Sequence, residues 1–204
     1  MTFEDYYGDD YARLINAENI LKQIAEHLCE NSGDDKDVTP IVYYCSRIKK
    51  PDSMIKKLKS RDLPTSKESA LTNVYDAVGL RIICAFSDDV KNIISALCLE
   101  KQIEVIEQKD YLSHPKPNGY RSFHLCVRVK ECGILAEIQV RTIAMDFWAT
   151  LEHQIKYKQN IPHEKTIRAE LKRCADEIAS VDLSMQTIRA LIKENACLLS
   201  TVKF

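Results

Sequence analysis

Residues 109–158 read KDYLSHPKPNGYRSFHLCVRVKECGILAEIQVRTIAMDFWATLEHQIKYK, and this stretch decides the fold class. Within it, residues 134–141 alternate between apolar side chains and the polar Glu137, Gln139 and Arg141, which predicts a β-strand with two different faces. A buried strand seldom carries an acid, an amide and a guanidinium on one face, because unpaired buried charge is costly. The polar face therefore indicates a site. Lys, His, Asn and Tyr residues just upstream indicate an anionic ligand with an aromatic ring.

The segments beside this strand extend the pattern. Residues 123–129 predict a second strand, and the turn at 130–133 makes the two strands antiparallel neighbours. His124 lies opposite the apolar face of its strand, and a lone strand histidine is more often structural than functional. Thr142 is a suitable cap for a helix over the residues that follow. Both interpretations of His124 stay open at this point.

Length and composition exclude several classes of protein. A chain of 204 residues with 45% apolar residues is expected to form one domain with an ample core, extended by helices. The net charge of −1 gives no general indication of nucleic-acid binding. No apolar run approaches the roughly 20 residues of a membrane span, and the acidic, aromatic N-terminus is unlike a signal peptide. We therefore expect no membrane and a cytoplasmic location.

The eight cysteines form no C-x-x-C pair, and most fall on apolar faces. This distribution favours reduced, buried thiols over a metal site or a disulfide framework.

The first half of the chain carries a basic cluster and a lone acid of interest. The sequence predicts a helix over residues 9–30 and a short strand within 38–49. The segment RIKKPDSMIKKLKSR follows at 47–61 and contains seven basic residues and one acid. Such a segment is either a solvated helix face or a grip for a polyphosphate. Asp76 precedes a strand at 80–86 and is either a turn residue or a Mg²⁺ ligand.

Two further segments complete this part of the chain. A helix opens at Ser87, with acids in its first turn, and a strand follows at 103–111.

The C-terminal segment predicts helices without a further sheet. Residues 163–200 carry apolar side chains at alternating spacings of three and four, with a break near 180–184 before a second helix. A stripe of this kind either covers the chain's own sheet or pairs with another subunit, and we favour pairing.

The predicted fold is α/β (α+β), with a mixed, largely antiparallel central sheet flanked by helices and a C-terminal helical extension. We divide the chain into an N-terminal helix and loop at 1–37, a core at 38–160 and C-terminal helices at 161–204. With only five glycines the chain has no P-loop or Rossmann fingerprint. Side chains and Mg²⁺ would therefore handle the phosphates, which predicts a Mg²⁺-dependent nucleotide-binding domain.

Four motifs in order, RIKKPDSMIKKL, YDAVGLRIICAFSDDV, KDYLSHPKPNGYRSFHL and EIQVRTIAMDFWATLEHQIKYK, resemble the synthetase domain of the RelA/SpoT family over residues 41–158. With no hydrolase or regulatory domain beside it, the chain resembles a small alarmone synthetase, with a nucleotidyltransferase-like core. The resemblance implies a GTP pyrophosphokinase of the stringent response. Such an enzyme transfers the β,γ-pyrophosphoryl group of ATP to the ribose 3′-hydroxyl of GTP, GDP or GMP, and makes pppGpp, ppGpp or pGpp.

By matching positions, the resemblance implies the catalytic residues. Asp76 would bind Mg²⁺, and Glu137 would help to bind Mg²⁺ and orient or deprotonate the attacking hydroxyl. Gln139, Arg141 and His153 would support the shape of the site.

The resemblance places ATP among basic side chains. Arg47 and Arg81 would sandwich the adenine, and Lys49 and Lys57 would hold the phosphates.

The acceptor nucleotide would lie beside the upstream loop and strand. Tyr120 would stack on guanine, and Lys109, Lys116 and His124 would contact the phosphates. Asp146 stands where some small synthetases carry asparagine near the guanine, and a carboxylate can also accept from guanine N1 and N2.

The resemblance also implies partners and leaves alternatives. It implies a homo-oligomer, a tetramer by analogy, and an alarmone or single-stranded RNA as an allosteric ligand. One alternative is a toxic relative that pyrophosphorylates tRNA or an adenine nucleotide. Another is a non-catalytic nucleotide- or RNA-binding regulator, against which the intact pair Asp76 and Glu137 argues.

Overall fold

A mixed five-stranded sheet forms the centre of the molecule in the computed structural model, which describes residues 1–31, 40–156 and 163–201. The strand order is β1-β2-β5-β4-β3. Only the β2–β5 pair is parallel, and the other three pairs are antiparallel. The predicted mixed, largely antiparallel sheet is confirmed. The strands are β1 (Ile41–Ile48), β2 (Val78–Cys84), β3 (Ile103–Asp110), β4 (Phe123–Val129) and β5 (Ile134–Thr142).

Helices flank the sheet, and most begin at the residues that the sequence indicates. Pro51 occupies the first turn of its helix, and the Ser66 and Thr142 hydroxyls accept backbone N–H groups at two other helix starts. A short N-terminal helix, capped by Thr2, was not predicted. The helices are α1 (Phe3–Tyr7), α2 (Asp10–Asn31), α3 (Pro51–Lys59), α4 (Lys67–Asn73), α5 (Ser87–Leu99), α6 (Ile143–Lys156) and α7 (Glu164–Thr201).

One face of the sheet packs against α2 and α5 and forms the hydrophobic core. The buried side chains of α2 recur at helical spacing, and every second residue of β2 and β5 meets them. Burying an aliphatic side chain of this size stabilises the fold by about 1.5–3 kcal/mol. The core residues of the two central strands are Val78, Leu80, Ile82, Cys84, Ile134, Ala136, Ile138 and Val140.

The opposite face of the sheet carries the polar side chains in register. Arg47 of β1 pairs with Gly79 of β2, and Gly79 pairs with Glu137 of β5. Two residues further along, a row crosses all five strands, because side chains two apart share a face. This row consists of Cys45, Arg81, Gln139, His124 and Lys109. Strand pairing alone therefore collects residues from distant parts of the sequence.

The turn at Asn118 and Gly119 fixes the loop before β4 against α7. Gly119 has a φ of +91°, and a Cβ at this position would lie 2.5 Å from the Cβ of Ala175. The Asn118 side chain donates to Glu152 of α6 at 2.9 Å. Because glycine alone tolerates both the conformation and the close approach, this turn places the following Tyr120 precisely.

The apolar stripe of α6 faces solvent within the single chain. Ile143, Phe147 and Leu151 are between 42% and 57% exposed, whereas Trp148 is buried and its indole N–H donates to the Leu171 carbonyl at 2.8 Å. The second half of α7 likewise exposes large apolar residues. These are Val181, Leu183, Met185, Ile188, Leu191 and Ile192.

The predicted break near residues 180–184 is wrong, because α7 is one continuous helix of 38 residues. Neither Gly nor Pro interrupts it. The Ser184 hydroxyl donates to the carbonyl of Ser180 at 2.9 Å, so this serine bonds within the helix and does not end it. Buried Asp182 accepts from the Thr142 hydroxyl at 2.8 Å and ties the middle of α7 to the end of β5.

Within the described ranges, no helix is long and apolar enough to cross a membrane. The seven cysteines in the same ranges are free thiols; Cys84 and Cys126 are buried as predicted, whereas Cys45 and Cys98 are exposed. Burial raises the pKa of the Cys84 thiol to about 12, which keeps it protonated.

Replacing Arg189 tests how α7 docks. Its guanidinium pairs with Asp89 of α5 at 2.7 Å, and the Asp89 side chain is only 5% exposed. Arg189→Ala should lower the free energy of unfolding by about 2–3 kcal/mol, because it leaves a buried carboxylate unpaired. Urea denaturation measures this loss. Arg168→Ala, at the exposed pair with Glu164, should cost at most about 1 kcal/mol; equal losses in both variants would contradict the expectation.

Candidate active site

A cleft of about 120 Å³ opens on the polar face of the sheet. β1 and β2 supply two guanidinium groups, and β5 supplies a carboxylate and an amide beside them. The cleft therefore joins an acid that precedes β2 to an acid in the middle of β5, although 60 residues separate them in the chain. Its lining residues are Cys45, Ser46, Arg47, Asp76, Gly79, Leu80, Arg81, Glu137 and Gln139.

Asp76 is held by two lysines of the basic segment. Lys49 Nζ lies 2.9 Å and Lys57 Nζ lies 2.8 Å from the same oxygen, Oδ2. Burial by itself would raise the pKa of Asp76, but the hydrogen bonds and charges of the two lysines outweigh it and lower the pKa. Asp76 Oδ1 is buried and accepts no hydrogen bond from the described part of the chain. This oxygen is therefore available for a ligand.

Glu137 is ionised and held by its neighbours. Burial would raise its pKa, but contacts with His124, Gln139 and Lys57 lower the pKa to about 2. His124 Nδ1 lies 3.3 Å from Oε1, and Gln139 Nε2 donates to Oε2 at 2.6 Å. At neutral pH the side chain is thus a carboxylate that can accept a hydrogen bond or bind a cation.

A closed ring of hydrogen bonds surrounds this carboxylate. The Tyr120 hydroxyl lies 2.9 Å from His124 Nε2 and accepts from Arg141, and Arg141 also donates to the Gln139 oxygen at 2.8 Å. One arrangement of protons satisfies every contact: Tyr120 donates to His124 Nε2, and His124 Nδ1–H donates to Glu137. Since both ring nitrogens of His124 are engaged, the predicted phosphate contact of His124 would require one of these bonds to break.

Asp146 stands at the N-terminal turn of α6 and is 7% exposed. Its Oδ1 accepts from Arg81 at 3.2 Å and from Arg141 at 3.1 Å. Its Oδ2 accepts from the Tyr43 hydroxyl at 2.5 Å. Burial and this hydrogen bond raise the pKa of Tyr43 to about 12, so the phenol remains a donor. Asp146 therefore contacts residues of three strands, of which Arg81 lines the cleft.

Three further predicted residues lie outside the lining of the cleft. Lys109 Nζ lies 5.7 Å from the centre of the Tyr75 ring and pairs with Glu107 at 3.1 Å. Lys116 Nζ lies 5.0 Å from the centre of the Tyr120 ring, which suits a role beside a stacked base. His153 is exposed on α6 and does not line the cleft.

Besides Gly79 and Leu80, which also line the cleft, sequence reasoning missed four residues of the site. Cys45 and Ser46 line the cleft, Tyr43 holds Asp146, and buried Ser122 accepts from Arg141 Nε at 3.2 Å. The alternation of β1 could have identified Tyr43 and Cys45, because both share the face of Arg47.

The residues fit a Mg²⁺ ion better than a transition metal. Among the described residues, no group of three or more His, Cys, Asp or Glu side chains forms an all-protein metal site. Two carboxylates border one cleft, and Asp76 Oδ1 has no other partner there. Mg²⁺ is typically bound by one or two carboxylates together with substrate phosphates.

The lowered pKa of Glu137 predicts a specific acid dependence of stability. The value is about 2 in the folded chain against 4.5 for the free side chain, so the stabilisation is complete above pH 4.5 and lost as the pH falls towards 2. In Glu137→Gln the slope of the free energy of unfolding against pH should be shallower in this window, by at most about 1.4 kcal/mol per pH unit. Urea titrations at several pH values measure it; parallel profiles would contradict it.

Two curated relatives from Bacillus subtilis strain 168 cover most of the chain. GTP pyrophosphokinase YwaC is 38% identical over 156 residues, which are 74% of this chain and 74% of YwaC. GTP pyrophosphokinase YjbM is 35% identical over 168 residues, with 78% and 77% covered. Both identities extend well beyond a local motif.

The fold matches solved structures of small alarmone synthetases. Small alarmone synthetase 1 from Bacillus subtilis, bound to its product pppGpp, superposes with a TM-score of 0.80 at 32% identity, covering 89% of this chain and 95% of that one. A GTP pyrophosphokinase family protein from Streptococcus pneumoniae gives a TM-score of 0.74 at 31% identity, with 96% and 95% covered. Residues 46–162 match the family model described as the region found in RelA / SpoT proteins. The chain with this cleft is thus a member of the RelA/SpoT family, of the small alarmone synthetase type.

Proposed function

We propose that this protein transfers the β,γ-pyrophosphoryl group of ATP to the ribose 3′-hydroxyl of GTP or GDP. A bond forms between the 3′-oxygen and the β-phosphorus, and the bond from that phosphorus to the α,β-bridging oxygen breaks. AMP leaves with the bridging oxygen, and the product is pppGpp or ppGpp. The single observation that carries the proposal is the shared cleft of Asp76 and Glu137, flanked by Arg47 and Arg81.

The basic side chains suit the donor nucleotide. Arg47 and Arg81 line the cleft on neighbouring strands, where guanidinium planes can stack on adenine. Lys49 and Lys57 now neutralise Asp76, and their ammonium groups would turn to the phosphates when ATP enters. When the lysines turn to the phosphates, Asp76 Oδ2 would lose its two partners. Both oxygens of the Asp76 carboxylate would then be available to a metal ion.

Asp76 and Glu137 would hold the Mg²⁺ ion of the proposed reaction. When bound, the ion would neutralise charge on the transferred phosphates, which is the main requirement of phosphoryl-type transfer. Glu137, ionised at neutral pH, would accept the hydrogen bond of the attacking 3′-hydroxyl and orient its oxygen. Through the ring of hydrogen bonds, His124 and Gln139 would keep both oxygens of this carboxylate in place.

The proposed acceptor site lies on the β4 side of the cleft. Tyr120 would stack on guanine, with Lys116 and Arg141 near its ring, and Lys109 would approach the acceptor phosphates. Stacking alone does not select a base, so the identity of the acceptor requires a direct test. Chromatography of products from ATP with GTP, GDP, GMP, a second adenine nucleotide or tRNA separates the alternatives. We expect product with the guanine nucleotides only.

Removing either carboxylate should abolish turnover. Glu137→Gln and Asp76→Asn should each lower kcat by about 100-fold or more, because one replaces the carboxylate that faces the attacking hydroxyl with a neutral amide and the other weakens a metal ligand. AMP and alarmone formation, followed by chromatography, measures the loss.

Two matched substitutions serve as controls for these variants. Glu104→Gln on β3 and Asp88→Asn on α5 change exposed acids outside the cleft and should retain full activity. Activity within tenfold of the unsubstituted protein in Glu137→Gln would refute the proposed mechanism.

We further propose that the protein forms a homo-oligomer, a tetramer by analogy with its family, in the cytoplasm where its substrates are available. Exposed apolar residues on α6 and on the second half of α7 support this proposal. Burying such faces between subunits removes them from water, which is favourable by about 25 cal/mol per Å². The predicted segment 161–204 would then supply an interface.

A charge placed on this face should weaken the association. Ile188 is 49% exposed, and Ile188→Asp should shift the mass measured by light scattering at micromolar concentration towards the monomer. Lys193→Glu is the matched control, since this exposed and already charged residue lies about 140° from Ile188 round the helix. A monomer before any substitution, or an unchanged oligomer in Ile188→Asp, would refute the proposed interface.

A further inference from the structure

Asp146 of α6 holds residues from three different strands. It accepts hydrogen bonds from Tyr43 of β1, Arg81 of β2 and Arg141 of β5. Both guanidinium groups donate to the same oxygen, Oδ1, at 3.2 and 3.1 Å. A single buried carboxylate therefore joins two cations that would otherwise repel one another.

The two guanidinium groups differ in how firmly they are held. Arg141 also donates to Ser122, Tyr120 and Gln139, so it has three hydrogen-bond partners besides Asp146. Within the described ranges Arg81 Nε is buried without a partner, and the guanidinium donates to Asp146 through its Nη1. The carboxylate thus ties a guanidinium with few partners to one with several.

These two residues belong to opposite sides of the proposed reaction. Arg81 lines the cleft where ATP would bind, and Arg141 donates to the hydroxyl of Tyr120, on which guanine would stack. Tyr43 adds a third hydrogen bond on Oδ2 and restrains the carboxylate from the β1 side. An unbroken series of contacts, Arg81–Asp146–Arg141–Tyr120, therefore connects the two nucleotide sites.

We propose that Asp146, held by Tyr43, is a positioning residue that couples the donor and acceptor sites, so that a nucleotide in one site strengthens binding in the other. The inference rests on the proposed function. A stacked adenine orders Arg81, and the ordered Arg81 fixes Asp146 and, through it, Arg141 and Tyr120. Tyr120 and Arg141 are then already ordered when the acceptor base binds. The binding of the base therefore has to supply less free energy for ordering them.

Binding measurements in the presence and absence of the other nucleotide test the coupling. The donor probe is AMPCPP, in which a methylene group replaces the α,β-bridging oxygen and prevents transfer, and the acceptor is GDP. Isothermal titration calorimetry gives the Kd of GDP without and with saturating AMPCPP. For the unsubstituted protein we expect GDP to bind at least about fivefold more tightly with AMPCPP.

Substitutions of Asp146 and Tyr43 should reduce the difference between the Kd of GDP with AMPCPP and the Kd without it. Asp146→Asn should bring the ratio of the two Kd values close to one, because amide oxygen accepts weakly and the two guanidinium groups lose their shared counter-charge. Tyr43→Phe retains all charges and should lower the ratio partially, which guards against a variant that fails to fold. Asp89→Asn, a buried acid paired with Arg189 outside the cleft, is the matched control and should keep the full ratio.

Three results would overturn the inference. An unchanged ratio in Asp146→Asn would show that the contacts do not couple the sites. Equal weakening of GDP binding with and without AMPCPP, together with improved binding of xanthosine diphosphate, would show that Asp146 reads the base directly. Failure of the unsubstituted protein to bind both nucleotides would remove the proposed function itself, and so the coupling with it.

Discussion

The parallel pairing of β2 with β5 is the constraint on which the site depends. Its register sets Gly79 beside Glu137 and Arg81 beside Gln139, and the antiparallel neighbours add Arg47 and His124 on the same face. A shift of one residue would turn these side chains into the apolar core, because successive strand residues point to opposite faces. The buried residues of α2 and α5 prevent such a shift, since they require apolar partners. The core therefore fixes the geometry of the cleft.

Charge compensation determines which side chains this face can carry. Asp76 is neutralised by two lysines, Glu137 is held by an imidazole and an amide, and Asp146 by two guanidinium groups. Without these partners the burial of each carboxylate would be uncompensated and costly. Lysine and arginine side chains are also the groups that commonly bind phosphates in proteins. The side chains that neutralise the protein's own carboxylates are thus also suited to binding anionic ligands.

The C-terminal half shows where periodicity alone misleads. The alternation of apolar residues on α6 and α7 was recognised correctly, but it does not reveal which partner covers them. In the single chain, Trp148 and Asp182 face inwards, whereas Phe147 and Ile188 face solvent. The serines at 180 and 184 indicated a break because serine often ends helices, yet their hydroxyl and carbonyl groups bond within one turn. Tertiary docking through Arg189 and Asp89 overrides this weak local preference.

The sequence by itself determined the strands, most helix starts, the turn at Gly119 and the polar alternation of Glu137, Gln139 and Arg141, because these depend on spacing between near neighbours. The motifs added the family and its assignment of residues. Only the tertiary structure decided that Asp76 meets Lys49 and Lys57, that His153 lies apart from the cleft, and that Asp146 and Tyr43 join its two sides. Such contacts link residues that are distant in the chain. They follow from strand order, register and burial, which no local pattern of residues specifies.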